Sequence, residues 1–196
     1  MEPELVQRVD GQLRLKQALQ PLLDAFDVIV IDTPPTLGLL LQAPLVASTD
    51  LLIPVDVGSF AVEGMRQLLD AIARLRQEVP LTLATPHILL TKFDARTTLS
   101  AHVRAILRES GGAEVLDTVI HGNVALVRAQ LARQSIFAYA RTSTGAQDYQ
   151  HVVEELLGHR RTVEASGTVS PFRHQRRGPG GRKEPKSGRA AQIDAR

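Results

Sequence analysis

The run Asp27-Val-Ile-Val-Ile-Asp32, closed by Thr33-Pro34-Pro35, restricts the fold more than any other stretch of this sequence. Four consecutive β-branched residues are apolar on both faces of an extended chain. That pattern marks a buried parallel strand rather than a half-solvated antiparallel one. Parallel neighbours need long crossover connections, and the sequence supplies them.

Upstream, Leu15, Leu19, Leu22 and Leu23 share one helical face, which predicts an amphipathic helix from Gln12 to Asp24 with a kink or an early end at Pro21. Downstream, a helix is expected from Leu37 to Ser48 and a second strand at Leu51–Val55. The stripe Met65, Leu68, Leu69, Ile72 and Leu75 predicts a helix, and His87–Thr91 a third strand. Leu99, Val103, Ile106 and Leu107 mark another helix after Thr97, Val115–Ile120 a fourth strand, and Val124–Ala132 a short helix. Tyr149, Val152, Val153, Leu156 and Leu157 stripe the last helix. Strands alternating with helices in this way define an α/β fold, a mostly parallel sheet flanked by helices with right-handed crossovers. Ligands in such sheets bind at the carboxyl ends of strands, which directs attention to Asp32, Asp56 and the Thr91–Asp94 segment.

The periodicity stops after Gly158. From His159 to Arg196 eight Arg and two Lys stand against Glu164, Glu184 and Asp194, and segments such as RRGPGGRKEPKSGR offer no apolar face. The expected organisation is a folded domain over residues 1–158 and a disordered basic tail over 159–196. The net charge of +2 conceals this asymmetry, because the tail carries the excess of base. In the tail, Arg173, Arg176, Arg177, Arg182 and Lys183 are candidates for contacts to nucleic-acid phosphates.

Composition removes several chemistries. With no cysteine there are no disulfides, thiolate metal sites or cysteine nucleophiles. The six histidines show no HxxxH pair and no neighbouring carboxylate cluster, so no metal site is assigned to them. No G-x-S-x-G elbow supports serine catalysis. No apolar run approaches the roughly 18 residues that span a bilayer, and the amino-terminal MEPELVQRVDG lacks a secretory h-region. A cytosolic protein is expected.

Two readings fit Asp32. A carboxylate that ends a strand ahead of a stiff Pro-Pro turn has the layout of a Walker B acid, which meets Mg²⁺ directly or through water; it also has the layout of an aspartate capping the next turn. Thr91-Lys92-Phe93-Asp94 resembles the base-reading NKxD element of GTPases with Thr in place of Asn, and also reads as a solvated loop. Arg96, just beyond, is an exposed helix-entry arginine or a phosphate contact to DNA.

Three blocks carry a more specific resemblance: FDVIVIDTPPTLGLLLQAPLVASTDLLIPVDVGSFAVEGMRQLLDAI, HILLTKFDARTTLSAHV and ARTSTGAQDYQHVVEEL. In this order and spacing they resemble the ParA/Soj-type deviant Walker partition ATPases, over about residues 4 to 157. The resemblance implies a P-loop NTPase fold, ATP and Mg²⁺ as cofactors, a dimer, nonspecific DNA binding and a ParB-like partner that stimulates hydrolysis. It also implies a cytoplasmic, nucleoid-associated protein that does not bind membranes. Carried over by position, it makes Asp32 the Walker B acid, catalytic and holding Mg²⁺ through water. Thr33, Pro34, Thr91, Asp94 and Asn123 fall at the nucleotide, and Arg96 on the DNA face.

The sequence departs from that family at identifiable points. The deviant P-loop, KGGVGKT-like, has no counterpart here, and Gly178-Pro-Gly-Gly-Arg-Lys183 lacks the GK[ST] ending. His121-Gly122 stands where relatives carry Pro-Arg, and Gly58 replaces a usual acid. The chain starts at a point the family reaches after its P-loop, so an amino-terminal truncation, a split gene or a misplaced start is expected. Without the loop a nucleotide loses several charge-assisted hydrogen bonds of about 1.5–3 kcal/mol each. This chain alone is therefore expected not to bind or hydrolyse ATP. The alternative is a non-enzymatic DNA-binding or dimerisation module acting on a full-length relative, as a homodimer or heterodimer. Loss of the P-loop strand is also expected to leave an apolar strand edge unpaired.

Overall fold

His87-Ile-Leu-Leu-Thr91 is apolar on both faces, and in the computed structural model its residues from His87 to Leu90 are all buried. This strand, β3 (His87–Thr91), is the middle of a three-stranded parallel sheet between β2 (Leu52–Asp56) and β4 (Glu114–Val115). The register aligns Leu52 with His87 and Asp56 with Thr91, and His87 with Glu114. The structure describes residues 11–34, 39–58, 61–166 and 190–194.

Two compact units divide the chain: Met1–Thr49 with Ala71–Leu83 and Pro171–Arg196, and Asp50–Asp70 with Ala84–Ser170. The second unit holds the β2–β3–β4 sheet. Ile53, Val55, Met65, Ile88, Leu90, Val103 and Leu107 form its core cluster, with Leu90 fully enclosed. Each such aliphatic residue contributes about 1.5–3 kcal/mol through burial. Met65 comes from α3 (Ala61–Glu78), and Val103 and Leu107 from α4 (Thr98–Glu109). The Thr97 hydroxyl caps α4 by accepting from the Ser100 N–H at 3.3 Å, which explains why the helix begins after that residue.

The expected fourth strand is shorter than Val115–Ile120. Leu116 N–H still donates to Ile88 O, but the next two amides, of Asp117 and Thr118, turn to the Glu155 carboxylate at 2.7 and 2.9 Å. A side chain has captured donors that a strand would spend on its neighbour. The chain returns to the sheet edge at Ile120, whose N–H donates to Leu90 O.

The carboxy-terminal part of this unit is helical: α5 (Val124–Leu131), α6 (Ile136–Tyr139) and α7 (Thr144–Ser166). Ala129, Ile136 and Ala146 pack together beside Leu126. The short α6, capped by Ser135, has no periodic signal long enough to be read from sequence. On α7 the buried line runs through Gly145, Asp148 and Val152. Tyr149, Val153 and Leu157 of the expected apolar stripe are exposed, at 40%, 51% and 42%. Small and polar side chains hold the inward face there because α5 lies close: a Cβ on Gly145 would sit 2.8 Å from Leu126 Cγ.

In the first unit, α1 (Gly11–Leu19) runs into a 3₁₀ turn (Gln20–Leu22) with Pro21 near its start, so the helix ends early, as the proline predicts. It packs on α2 (Leu39–Ala47), joined by Gln12 Nε2 donating to Gln42 Oε1 at 2.8 Å. Residues 37 and 38 of the predicted second helix lie outside the described residues. The β1 strand (Val28–Asp32) pairs in parallel with β5 (Ala190–Asp194) along its whole length, from Val28 beside Ala190 to Asp32 beside Asp194.

β5 takes up one edge of β1, and no strand among the described residues pairs with the other. One expectation is corrected: the strand is not buried on both faces, for Val28 and Val30 are 40% and 51% exposed, while Ile29 and Ile31 are half-buried. A neighbouring strand satisfies backbone hydrogen bonds at an edge but covers neither face. At the ends of the basic segment, α7 continues to Ser166 and residues 190–194 are extended; the stretch between lies outside the described residues.

Candidate functional site

Asp32 closes β1 on the same strand face as Val28 and Val30, exposed, with no hydrogen-bond or ion-pair partner among the described residues. Thr33 and Pro34 follow, half-buried. A carboxylate left free at the carboxyl end of a parallel strand can accept hydrogen bonds from metal-bound water. Among the described residues no group of three or more His, Asp or Glu could hold a metal ion, so Asp32 offers a single ligand and the rest would come from water or phosphate oxygens.

In the second unit, two loops meet at the carboxyl ends of β3 and β4. Phe93 N–H donates to Ile120 O, Phe93 bridges to His121, and the two rings meet edge to face at 6.2 Å. Thr91, Lys92, Phe93, Asp94, His121 and Asn123 therefore sit in one neighbourhood. Lys92 adopts a left-handed backbone at φ 51°, uncommon for a residue with a side chain. Its ammonium is paired with the carboxylate of Asp56, so the second strand-end acid picked from the sequence is held by a lysine.

Asp94 is similarly engaged. Its Oδ1 accepts from the Arg96 backbone N–H at 3.0 Å and from Nε at 3.1 Å, and its Oδ2 from Nη2 at 3.0 Å. The Arg96 side-chain hydrogen bonds, then its backbone N–H, hold the Asp94 carboxyl below the usual carboxylate range; Asp94 in turn raises the Arg96 guanidinium. Thr97 Oγ1 donates to Asp94 O, which closes the turn. Asn123 caps α5, its Oδ1 accepting from Ala125 N–H at 2.7 Å. The predicted base-reading and DNA-facing residues are thus brought together, with Asp94 and Arg96 spent on each other and Asn123 on a helix end. Arg173, Arg176, Arg177, Arg182 and Lys183 lie outside the described residues.

Sequence reasoning missed Asp148. This buried carboxylate accepts from the His121 backbone N–H at 2.9 Å and lies 3.1 Å from its Nδ1. A signal existed: Asp148 falls between Gly145 and Val152 at helical spacing, a polar residue on the core-facing line of α7.

The α/β architecture, with parallel strands flanked by helices, is that of the P-loop nucleoside triphosphatases. The cobyrinic acid a,c-diamide synthase of Mycobacterium smegmatis with bound ADP and magnesium superposes at a TM-score of 0.66 and 29% identity, over 82% of this chain and 58% of that one. Residues 1–85 match the family described as an AAA domain. The sporulation initiation inhibitor protein Soj of Bacillus subtilis is 36% identical over 155 residues, 79% of this chain and 61% of Soj. The chromosome partitioning protein ParA of Myxococcus xanthus is 34% identical over 156 residues, 80% of this chain and 55% of ParA. Over these stretches the chain is similar to proteins named Soj and ParA. The chain spans little more than half the length of these relatives. No helix among the described residues is long and apolar enough to cross a membrane.

Proposed function

We propose that this chain is the Walker B-bearing part of a ParA/Soj-type partition ATPase, serving chromosome or plasmid segregation. The observation that carries the reading is Asp32, a carboxylate at the carboxyl end of β1 with no partner among the described residues, inside the stretch that matches the AAA-domain family. Asp32 would hold Mg²⁺ through water, and the metal would neutralise phosphate charge there. Thr33 and Pro34 border the same nucleotide. The family resemblance assigns Thr91, Asp94 and Asn123 to the nucleotide base, a role that requires Asp94 to release Arg96 or to act through its backbone.

The sequence contains no GK[ST] string to cradle phosphates. On this reading the 196-residue chain neither binds nor hydrolyses ATP alone. Nonspecific DNA, contacted by Arg96 and the basic segment, a ParB-like protein and a second ParA-type subunit are its partners, in the cytoplasm at the nucleoid. The basic segment favours a second reading, a non-enzymatic DNA-binding or dimerisation module that modulates a full-length relative.

Intact mass of the native protein, followed by calorimetry with Mg-ATP, tests both. A mass near 21.4 kDa without saturable binding at millimolar nucleotide supports an inactive module. A larger mass with upstream peptides restores the ATPase, and Asp32→Ala should then abolish hydrolysis. Saturable Mg-ATP binding by the 21.4 kDa chain overturns the proposed inactivity.

A further inference from the structure

On α5, Val124, Val127 and Leu131 are 66%, 57% and 81% exposed, although the helix is fixed from behind by Ala125, Leu126 and Ala129. At about 100° per residue, Val127, Leu131, Val124 and Arg128 fall in one outward arc about 100° wide, opposite Leu126 and Ala129. Arg128 is exposed, and its guanidinium has no ion pair or hydrogen bond among the described residues.

The helix then ends in a Schellman turn. Arg133 N–H donates to Gln130 O and Gln134 N–H to Ala129 O, with Arg133 left-handed at φ 53°. Glycine is the least strained residue at that position, yet the chain carries an exposed arginine. Between Asp117 and Asp148 the sequence has no carboxylate at all, while Arg128, Arg133 and Arg141 are all exposed. The outward face of α5 is therefore apolar along its centre, basic beside it, and free of neutralising acids of its own.

We propose that this face docks an acidic, amphipathic helical segment of a partner protein. The aliphatic stripe matches the i, i+3, i+7 anchors of such a segment, and the arginines pair with its carboxylates. A second copy on the same face would bring two arginine-bearing patches into one interface with no carboxylate of either to pair them. A duplex would leave the three aliphatic side chains without an apolar counterpart. An anionic bilayer engages longer helices than the eight residues of α5.

A random helical-peptide display library is panned against the full chain, and enriched peptides are synthesised and titrated by fluorescence anisotropy. Enrichment of acidic peptides with apolar residues at i, i+3 or i+4 spacing is expected. Leu131→Ser and Arg128→Glu should each weaken them at least tenfold. Arg133→Gly should weaken them severalfold without lowering the unfolding midpoint, a combination that a purely structural arginine would not give. If Leu131→Ser does not fold, Val127→Ser on the same face gives the same readout.

Four results overturn the proposal: no enrichment, enrichment of basic or uncharged peptides, acidic peptides that bind these variants undiminished, or substitutions that act only on other partners. The last is read as lost self-association in sedimentation, or as weakened binding of duplex DNA or phosphatidylglycerol vesicles without a change in peptide affinity.

Discussion

Asp94 and Arg96 form a closed pair: one carboxylate accepts the backbone N–H and two guanidinium N–H groups of a residue two positions on. An electrostatic role toward any ligand begins with breaking or sharing that fork.

Removing the guanidinium should therefore be visible on the acid. In Arg96→Ala the Asp94 carboxyl should titrate upward, back toward the ordinary carboxylate range, read by the pH dependence of its carboxyl ¹³C shift. Because the folded-state pKa is the lower one, the pair's contribution to stability is present above about pH 4. It is lost as pH falls through the depressed value. Acid-unfolding curves of the two proteins should diverge only above that window. If Arg96 also reaches DNA phosphates, the same variant binds duplex several times more weakly; unchanged affinity would leave Arg96 as the partner of Asp94 alone.

Asp148 should matter more for stability than its distance from any recognised motif suggests. Asp148→Ala strands the His121 N–H that it accepts, costing about 2–3 kcal/mol. Asp148→Asn keeps an acceptor oxygen and should cost less than half of that. Urea denaturation of both variants, with His121→Ala alongside, separates the backbone hydrogen bond from the ring interaction; equal losses for Ala and Asn would contradict it.

Gly145 is required by the approach of α5. The new methyl of Gly145→Ala would meet three atoms of Leu126 at 2.8 to 3.2 Å, which predicts a loss of about 1–3 kcal/mol. Combined with Leu126→Val the loss should shrink, giving a positive coupling in a double-mutant cycle. Additive losses would mean that Leu126 moves aside at no cost.

The basic segment should set the salt dependence of DNA binding. Replacing Arg173, Arg176, Arg177, Arg182 and Lys183 with Gln should lower the slope of log K against log salt by up to about 0.9 for each phosphate no longer neutralised. Because Ala190–Asp194 remain in place, this test leaves β1 paired, which deletion of residues 159–196 would not.

The elements that were legible from sequence are those whose residues bury their own pattern. β3 needed no context because every residue from His87 to Leu90 is enclosed, and α4 announced itself through Thr97 and an apolar stripe. The end of β4 depended on Glu155, distant in sequence, drawing two amides away from the sheet. The face of α7 depended on the closeness of Leu126 to Gly145. At the candidate site, Asp32 and the Thr91–Asp94 loop could be located from strand ends. The partners that engage Asp56 and His121, namely Lys92 and Asp148, come from tertiary proximity, which no local periodicity encodes.

The pairing of Val28 with Ala190 joins residues from near the two ends of the sequence. At synthesis rates of about 5–20 residues per second, β1 leaves the ribosome on the order of ten seconds before β5 exists. For that interval a strand of four β-branched residues waits with the edge that β5 will occupy uncovered. Its survival then rests on chaperones, or on a temporary companion, and the yield of folded protein should be set by how quickly synthesis passes from β1 to β5.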